Sequence, residues 1–90
     1  MSRAREWQLY NELRENIEQV LEEFLEEENL YTRPRLVIVI DTYGDYNIYV
    51  SEYVDTNVME SDDIYEYIKD GDIDYEAVDE LASQFVDLRS

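Results

Sequence analysis

Leu9, Leu13, Ile17, Val20, Leu21 and Phe24 recur at three- and four-residue spacing, a period that puts all six on one face of a helix. The stripe predicts one long amphipathic helix from residue 3 to about residue 29. Such a helix draws most of its stability from packing its apolar face, so the remaining two-thirds of the chain has to supply a surface to cover it. Pro34 keeps Arg33 out of helical geometry, and the helix must stop before it.

The covering surface reads as β structure followed by helices. Arg35–Asp41 is short, β-branched and apolar on both faces, the pattern of a strand. Thr42–Asp45 is a turn around Gly44-Asp45, with a connection of two or three residues. Tyr46–Val54 alternates, with Ile48, Val50 and Val54 on one face and Tyr49, Ser51 and Tyr53 on the other. A one-residue slip would exchange those faces, so the register stays open. Two strands alone are marginal, and residues 56–59 offer a third short one. Beyond them, Ser61 is placed to cap a short helix through Lys69, with Ile64 and Ile68 facing in and Gly71 as its stop. Asp74 caps a last helix whose Val78, Leu81, Ala82 and Phe85 form an inward stripe, with Ile73 and Val78 spaced as a hydrophobic staple. The expected fold class is therefore α+β, a single acidic domain over residues 1–90. It has a long N-terminal helix, an antiparallel β-hairpin with room for a third strand, and two short C-terminal helices.

Charge narrows the function. Twenty-four acids against seven bases leave a net charge of −17, far beyond the magnitude of about 2–8 that solubility asks of a small domain. Yet 44% hydrophobic and 13% aromatic residues are too apolar for a disordered acidic tail. A folded body of this charge repels nucleic acid and anionic membranes and attracts basic surfaces. With no cysteine, no long apolar run and an N-terminus that leads straight into glutamates, the expected setting is the cytoplasm.

Most catalytic chemistry lacks its residues. Without histidine or cysteine there is no common nucleophile–base pair and no zinc site built on those ligands. The single lysine, Lys69, lies among acids, and no glycine-rich phosphate loop exists. Carboxylate pairs of the kind a glycosidase uses are plentiful in any acidic chain. Asp70, Asp72 and Asp74 alternate as in a calcium loop, but Tyr75 stands where the glycine belongs and Leu81 where the bidentate glutamate belongs. The expectation is a binding protein with no catalytic residue, no cofactor and no dedicated metal site.

The arrangement of the acids says more than their number. From residue 41 to 88 there are fifteen acids and one base. On the first helix Glu15, Glu18, Glu22 and Glu26 line the side opposite the apolar stripe, so Glu18–Glu22 and Glu22–Glu26 repel where Glu–Lys pairs would help by about 0.2–0.5 kcal/mol. Arg3 and Arg5 sit at its start and Glu26–Glu28 at its end, each the wrong sign for the helix dipole. Repeated breaches of local stability rules point to function. Carboxylates four residues apart on a helix are separated by about 6 Å, and alternate strand residues by about 6.5–7 Å. Both spacings are of the order of successive phosphates on a nucleic-acid strand. The residues best placed to meet a basic partner are Asp45, Asp62, Asp63, Glu66, Asp70, Asp72, Asp74, Asp79 and Glu80. Tyr49 and Tyr67 are the expected aromatic anchors, chosen from nine tyrosines.

The run Leu-Val-Ile-Val-Ile-Asp-Thr-Tyr-Gly-Asp-Tyr-Asn-Ile-Tyr-Val-Ser-Glu, followed by two short acidic helices, resembles in layout the small acidic inhibitors that phages deploy against host nucleases. These are the anti-CRISPR and antirestriction proteins that mimic DNA. The resemblance covers residues 35–88, lies in layout and charge, and carries no residue roles. It implies a stoichiometric inhibitor whose partner is a basic nucleic-acid-binding protein, a nuclease or its complex, with no direct binding of nucleic acid. The alternatives are an acidic adaptor or assembly protein, with homodimerisation through the first helix or the hairpin edge, and adaptation to high salt. One Lys against six Arg suits the last, whereas three Ala with nine Tyr does not.

Overall fold

The computed structural model describes residues 3–27, 31–40, 43, 45–54 and 57–89. Helix α1 (Arg3–Glu26) is followed by strands β1 (Arg35–Ile40), β2 (Tyr46–Ser51) and β3 (Val58–Asp63). A 3-10 turn (Ile64–Tyr67), a miniature hairpin of β4 (Ile68–Lys69) and β5 (Asp72–Ile73), and helix α2 (Tyr75–Arg89) complete the chain. The class is α+β, as the periodicities predict. α1 closes at Glu26, and Glu27 N still donates to Glu23 O at 3.1 Å. The expected continuation to about residue 29 falls outside the described residues.

The three long strands form an antiparallel sheet in the order β2–β1–β3. β1 is central, and that is why Arg35–Ile40 is apolar on both faces. Leu36 and Ile38 face the helices, while Val37, on the other face, is fully buried between Tyr49 and Ser61, its partners in the flanking strands. On β2 the inward residues are Tyr46, Ile48 and Val50, opposite Ile40, Ile38 and Leu36. The pairing of Ile40 with Tyr46 leaves residues 41–45 as the connection, longer than the two or three residues expected. Val54 lies past the end of β2 and is exposed, so the strand is shorter than its alternation implied.

Both helices pack on one face of this sheet. Leu13, Ile17 and Leu21 of α1 meet Leu36 and Ile38 of β1, together with Ile64, Tyr67, Ile73 and Val78, Leu81, Ala82 and Phe85 of α2. The stripes read from sequence are the core.

Residues 61–69 depart from expectation. They do not form a helix capped by Ser61: Ser61, Asp62 and Asp63 are the end of β3, paired with Val37, Leu36 and Arg35. The local helix-start signal loses because the central strand has a second edge whose backbone groups need partners when buried. The third strand is real, but it runs over 58–63 and is longer than the 56–59 segment proposed for it, with a bulge opposite Ile38 and Val39. Asp63, not Ser61, is the cap. Its Oδ1 accepts from Tyr65 N at 3.0 Å and starts the single 3-10 turn that buries Ile64 and Tyr67. Gly71 is likewise not a helix stop. Asp70 and Gly71 both have positive φ, 55° and 78°, as the two-residue type I′ hairpin turn requires, and they pair Ile68 with Ile73. Asp74 does cap α2, with Ala77 N donating to its Oδ1 at 3.3 Å. Among the described residues, no helix is long and apolar enough to cross a membrane.

Candidate functional site

The edge strand β3 runs Val-Met-Glu-Ser-Asp-Asp, and pairing with β1 fixes which way its acids point. Glu60 lies opposite Ile38 and Asp62 opposite Leu36, so both carboxylates project from the face that carries the helices, at the rim of the core. Two residues apart on one strand, they are neighbours on one face. Charge on an edge strand also blocks pairing with another chain's edge.

Tyr67, delivered by the 3-10 turn, reaches the same place. Its hydroxyl donates to Asp62 Oδ2 at 2.7 Å. The residue is only 7% exposed. Burial, the bond to Asp62 and the charges of Asp62, Glu66 and Glu60 raise the Tyr67 phenol well above its ordinary value, because each disfavours a second negative charge. Glu60 is also raised, first by burial, then by the charge of Asp62 and a hydrogen bond shared with it. Tyr67 and Glu60 therefore feel the neighbouring carboxylates across a partly buried surface.

Glu66 continues this rim onto α2. With Tyr67 it forms one wall of a concavity of about 210 Å³ whose other wall is Ala77, Glu80, Leu81 and Gln84. Positions 77, 80, 81 and 84 share a flank of α2 by helical spacing.

The remaining acids are held differently. Asp72 Oδ1 accepts from Ile73 N at 2.8 Å, and Asp79 Oδ1 accepts from the Tyr10 hydroxyl of α1 at 2.9 Å. The bond to Asp79, together with burial and its charge, raises the Tyr10 phenol. Asp62, Asp63, Asp72, Asp74 and Asp79 are all bonded by backbone amides or tyrosine hydroxyls. Those donors are neutral. They orient the carboxylates and leave the negative charge undischarged.

The structure gathers Asp62, Glu66, Tyr67 and Glu80 into one region, with Asp63 beside them at the end of β3. Asp70 and Asp72 stand on the β4–β5 hairpin just before the α2 cap Asp74, and this hairpin, with Lys69 across from Asp72, has no calcium-loop form. Among the described residues no three acidic side chains converge as a metal ion needs. Asp79 is turned toward α1 by Tyr10, away from the Glu66–Glu80 flank. Asp45 and Tyr49 lie apart from the rest, on or just before β2, two strands and about 9–10 Å from β3. Tyr49 is half-buried beside Val37 on the face away from the helices.

Tyr67 is corrected from surface anchor to core residue, because the 3-10 turn points its ring inward against α2. The exposed aromatic surface near the acids belongs to Tyr65 and Tyr75, 51% and 52% exposed. Tyr65 meets Phe24 of α1 edge to face, with ring centroids 6.1 Å apart. Glu60 escaped the sequence reading. The signal for it was its alternation with Asp62, visible only once residues 58–63 are read as strand.

No protein-family model, no curated protein and no solved structure matches this chain.

Proposed function

We propose that this protein is a stoichiometric, non-enzymatic inhibitor that mimics DNA and occupies the basic nucleic-acid-binding groove of a nuclease, in the manner of anti-CRISPR or antirestriction proteins. The observation that carries this reading is the way the acids are held. Five aspartates are oriented by neutral donors rather than by bases, so the charge is both pre-positioned and unspent. Pre-positioning lowers the entropic cost of association. Unspent charge steers encounter with a cationic groove and replaces the phosphates whose neutralisation gives such grooves their affinity. Asp63 and Asp74 also serve as caps and Asp79 is turned toward α1, so the contact is carried mainly by the exposed Glu66, Asp70, Asp72 and Glu80, with Tyr65 and Tyr75 as aromatic neighbours. Asp45 adds charge from the β2 side.

A second reading, an acidic adaptor that binds a basic partner without excluding DNA, draws on Trp7, Tyr43 and Tyr53, which are exposed on elements outside the acidic rim.

The test is a cleavage panel of RNA-guided nucleases and restriction enzymes, with the protein added before or after the DNA. Protection only when the protein comes first, at near-equal stoichiometry, is the expected result. The triple change Glu66→Lys, Asp72→Lys and Glu80→Lys removes three exposed acids without touching a cap, and protection is then lost with the fold retained. Protection in either order, or full inhibition by the triple variant, counts against competition through this rim.

A further inference from the structure

We propose that the concavity between the 3-10 turn and α2 is a subsite for one arginine side chain of a basic partner protein. This deepens the inhibitor reading and rests on its premise that the partner surface is cationic.

The cleft is about 210 Å³ and is lined by Glu66, Tyr67, Ala77, Glu80, Leu81 and Gln84. Its chemistry is divided. Ala77, Leu81 and the buried Tyr67 make an apolar floor, and Glu66 and Glu80 stand on opposite walls, one on the 3-10 turn and one on α2. No base lines it. Asp62, bonded to the Tyr67 hydroxyl, and Glu60 beside it on β3 add to the negative potential around Tyr67.

An occupant must match both parts. An apolar side chain would leave the two carboxylates unused, and an anion would be repelled by them. A long side chain with a methylene stem and a cationic head fits floor and rim together. Arginine fits better than lysine. Its planar guanidinium carries donors on several edges, so it can reach carboxylates on opposite walls at once, and it gives up its hydration more readily than an ammonium. The side-chain amide oxygen of Gln84 offers a further acceptor at the cleft. Ala77 is the smallest residue of the lining. A larger residue on this flank of α2 would fill the cleft.

That dependence separates a shaped subsite from acidity in general. The probes are the blocked tripeptides Gly-Arg-Gly and Gly-Lys-Gly, titrated into the full-length protein and followed by amide chemical shifts. The expected result is a saturating response centred on residues 66, 77, 80, 81 and 84, at least fivefold weaker for the lysine peptide. Ala77→Leu keeps every charge and fills the cleft, and binding of the arginine peptide drops at least tenfold. Glu66→Gln with Glu80→Gln keeps the shape and removes the charge, with a comparable loss that does not depend on how well the alanine variant folds. Glu15→Gln with Glu22→Gln, the same change of charge on the exposed face of α1, leaves binding at the cleft unchanged.

Equal binding of both peptides, undiminished binding in Ala77→Leu, or no saturating response overturns the proposal. The peptide assay contains no nuclease. Capture of arginine without any protection of DNA would thus sustain the subsite and discard the DNA-mimic reading, and protection without arginine capture would do the reverse.

Discussion

Tyr67→Phe isolates the bond on which the acidic rim is assembled. The substitution keeps the buried ring, the net charge and every carboxylate, and removes only the hydroxyl that donates to Asp62 Oδ2 at 2.7 Å. A hydrogen bond to a charged acceptor contributes about 1.5–3 kcal/mol. Asp62 is half-buried and neighbours Glu60, so its loss of a donor is not fully made good by water, and a destabilisation of ~2 kcal/mol follows. For a chain of this size each kcal/mol moves the melting temperature by about 4–8 °C, which places the variant about 8–16 °C below the parent. Asp62→Asn retains an acceptor for the Tyr67 hydroxyl and removes one charge from a crowded group, so it should cost less. Thermal and urea unfolding of the parent, both single variants and the double variant complete a cycle whose coupling term measures what the charge of Asp62 adds to the bond. A Tyr67→Phe variant within about 0.5 kcal/mol of the parent would refute the argument that this bond organises β3 against the 3-10 turn, and strictly additive singles would show that the charge adds nothing to it.

Two further changes test neighbouring parts of the structure. Gly71 has φ +78°, and a Cβ placed there meets no atom within 4 Å, so Gly71→Ala loses about 1 kcal/mol through backbone conformation alone. Gly71→Asn loses less, because Asn tolerates the left-handed region, and equal losses in urea unfolding would reject that cause. Glu60→Gln stabilises at neutral pH, since burial and Asp62 raise the Glu60 carboxyl and its ionisation therefore works against folding. The sign follows from linkage. The gain is complete above the raised folded-state value, shrinks as pH falls through it, and vanishes below the ordinary glutamate value, where the group is neutral folded or unfolded. A gain that persists unchanged into acid shows that packing rather than charge is responsible.

Much of the fold was legible because its elements announce themselves locally. The α1 stripe, the doubly apolar β1 run and the Asp74 cap with its inward stripe each combine a period with a boundary residue, and all three stand where the pattern put them. Residues 61–69 were not legible in the same way. Ser61-Asp62-Asp63 is a good helix start in isolation, and Ile64 with Ile68 has helical spacing. Nothing local shows that β1 has a free edge waiting at Arg35, Leu36 and Val37. Asp70-Gly71 was the one signal that could have broken the tie, since Asp-Gly between paired residues is among the strongest hairpin cues.

The candidate site divides along the same line. Its charge, its lack of histidine and cysteine and its abundance of tyrosine are properties of composition, and the sequence alone determines a net charge of −17 whose field attracts cations. Which acids act together is decided by tertiary structure. Strand pairing turns Glu60 and Asp62 to one face, the 3-10 turn withdraws Tyr67 into the core and leaves Glu66 on the rim, and α2 brings Glu80 opposite it across fourteen residues of chain. Coulombic coupling depends on distance and burial, and neither is a property of position along the chain.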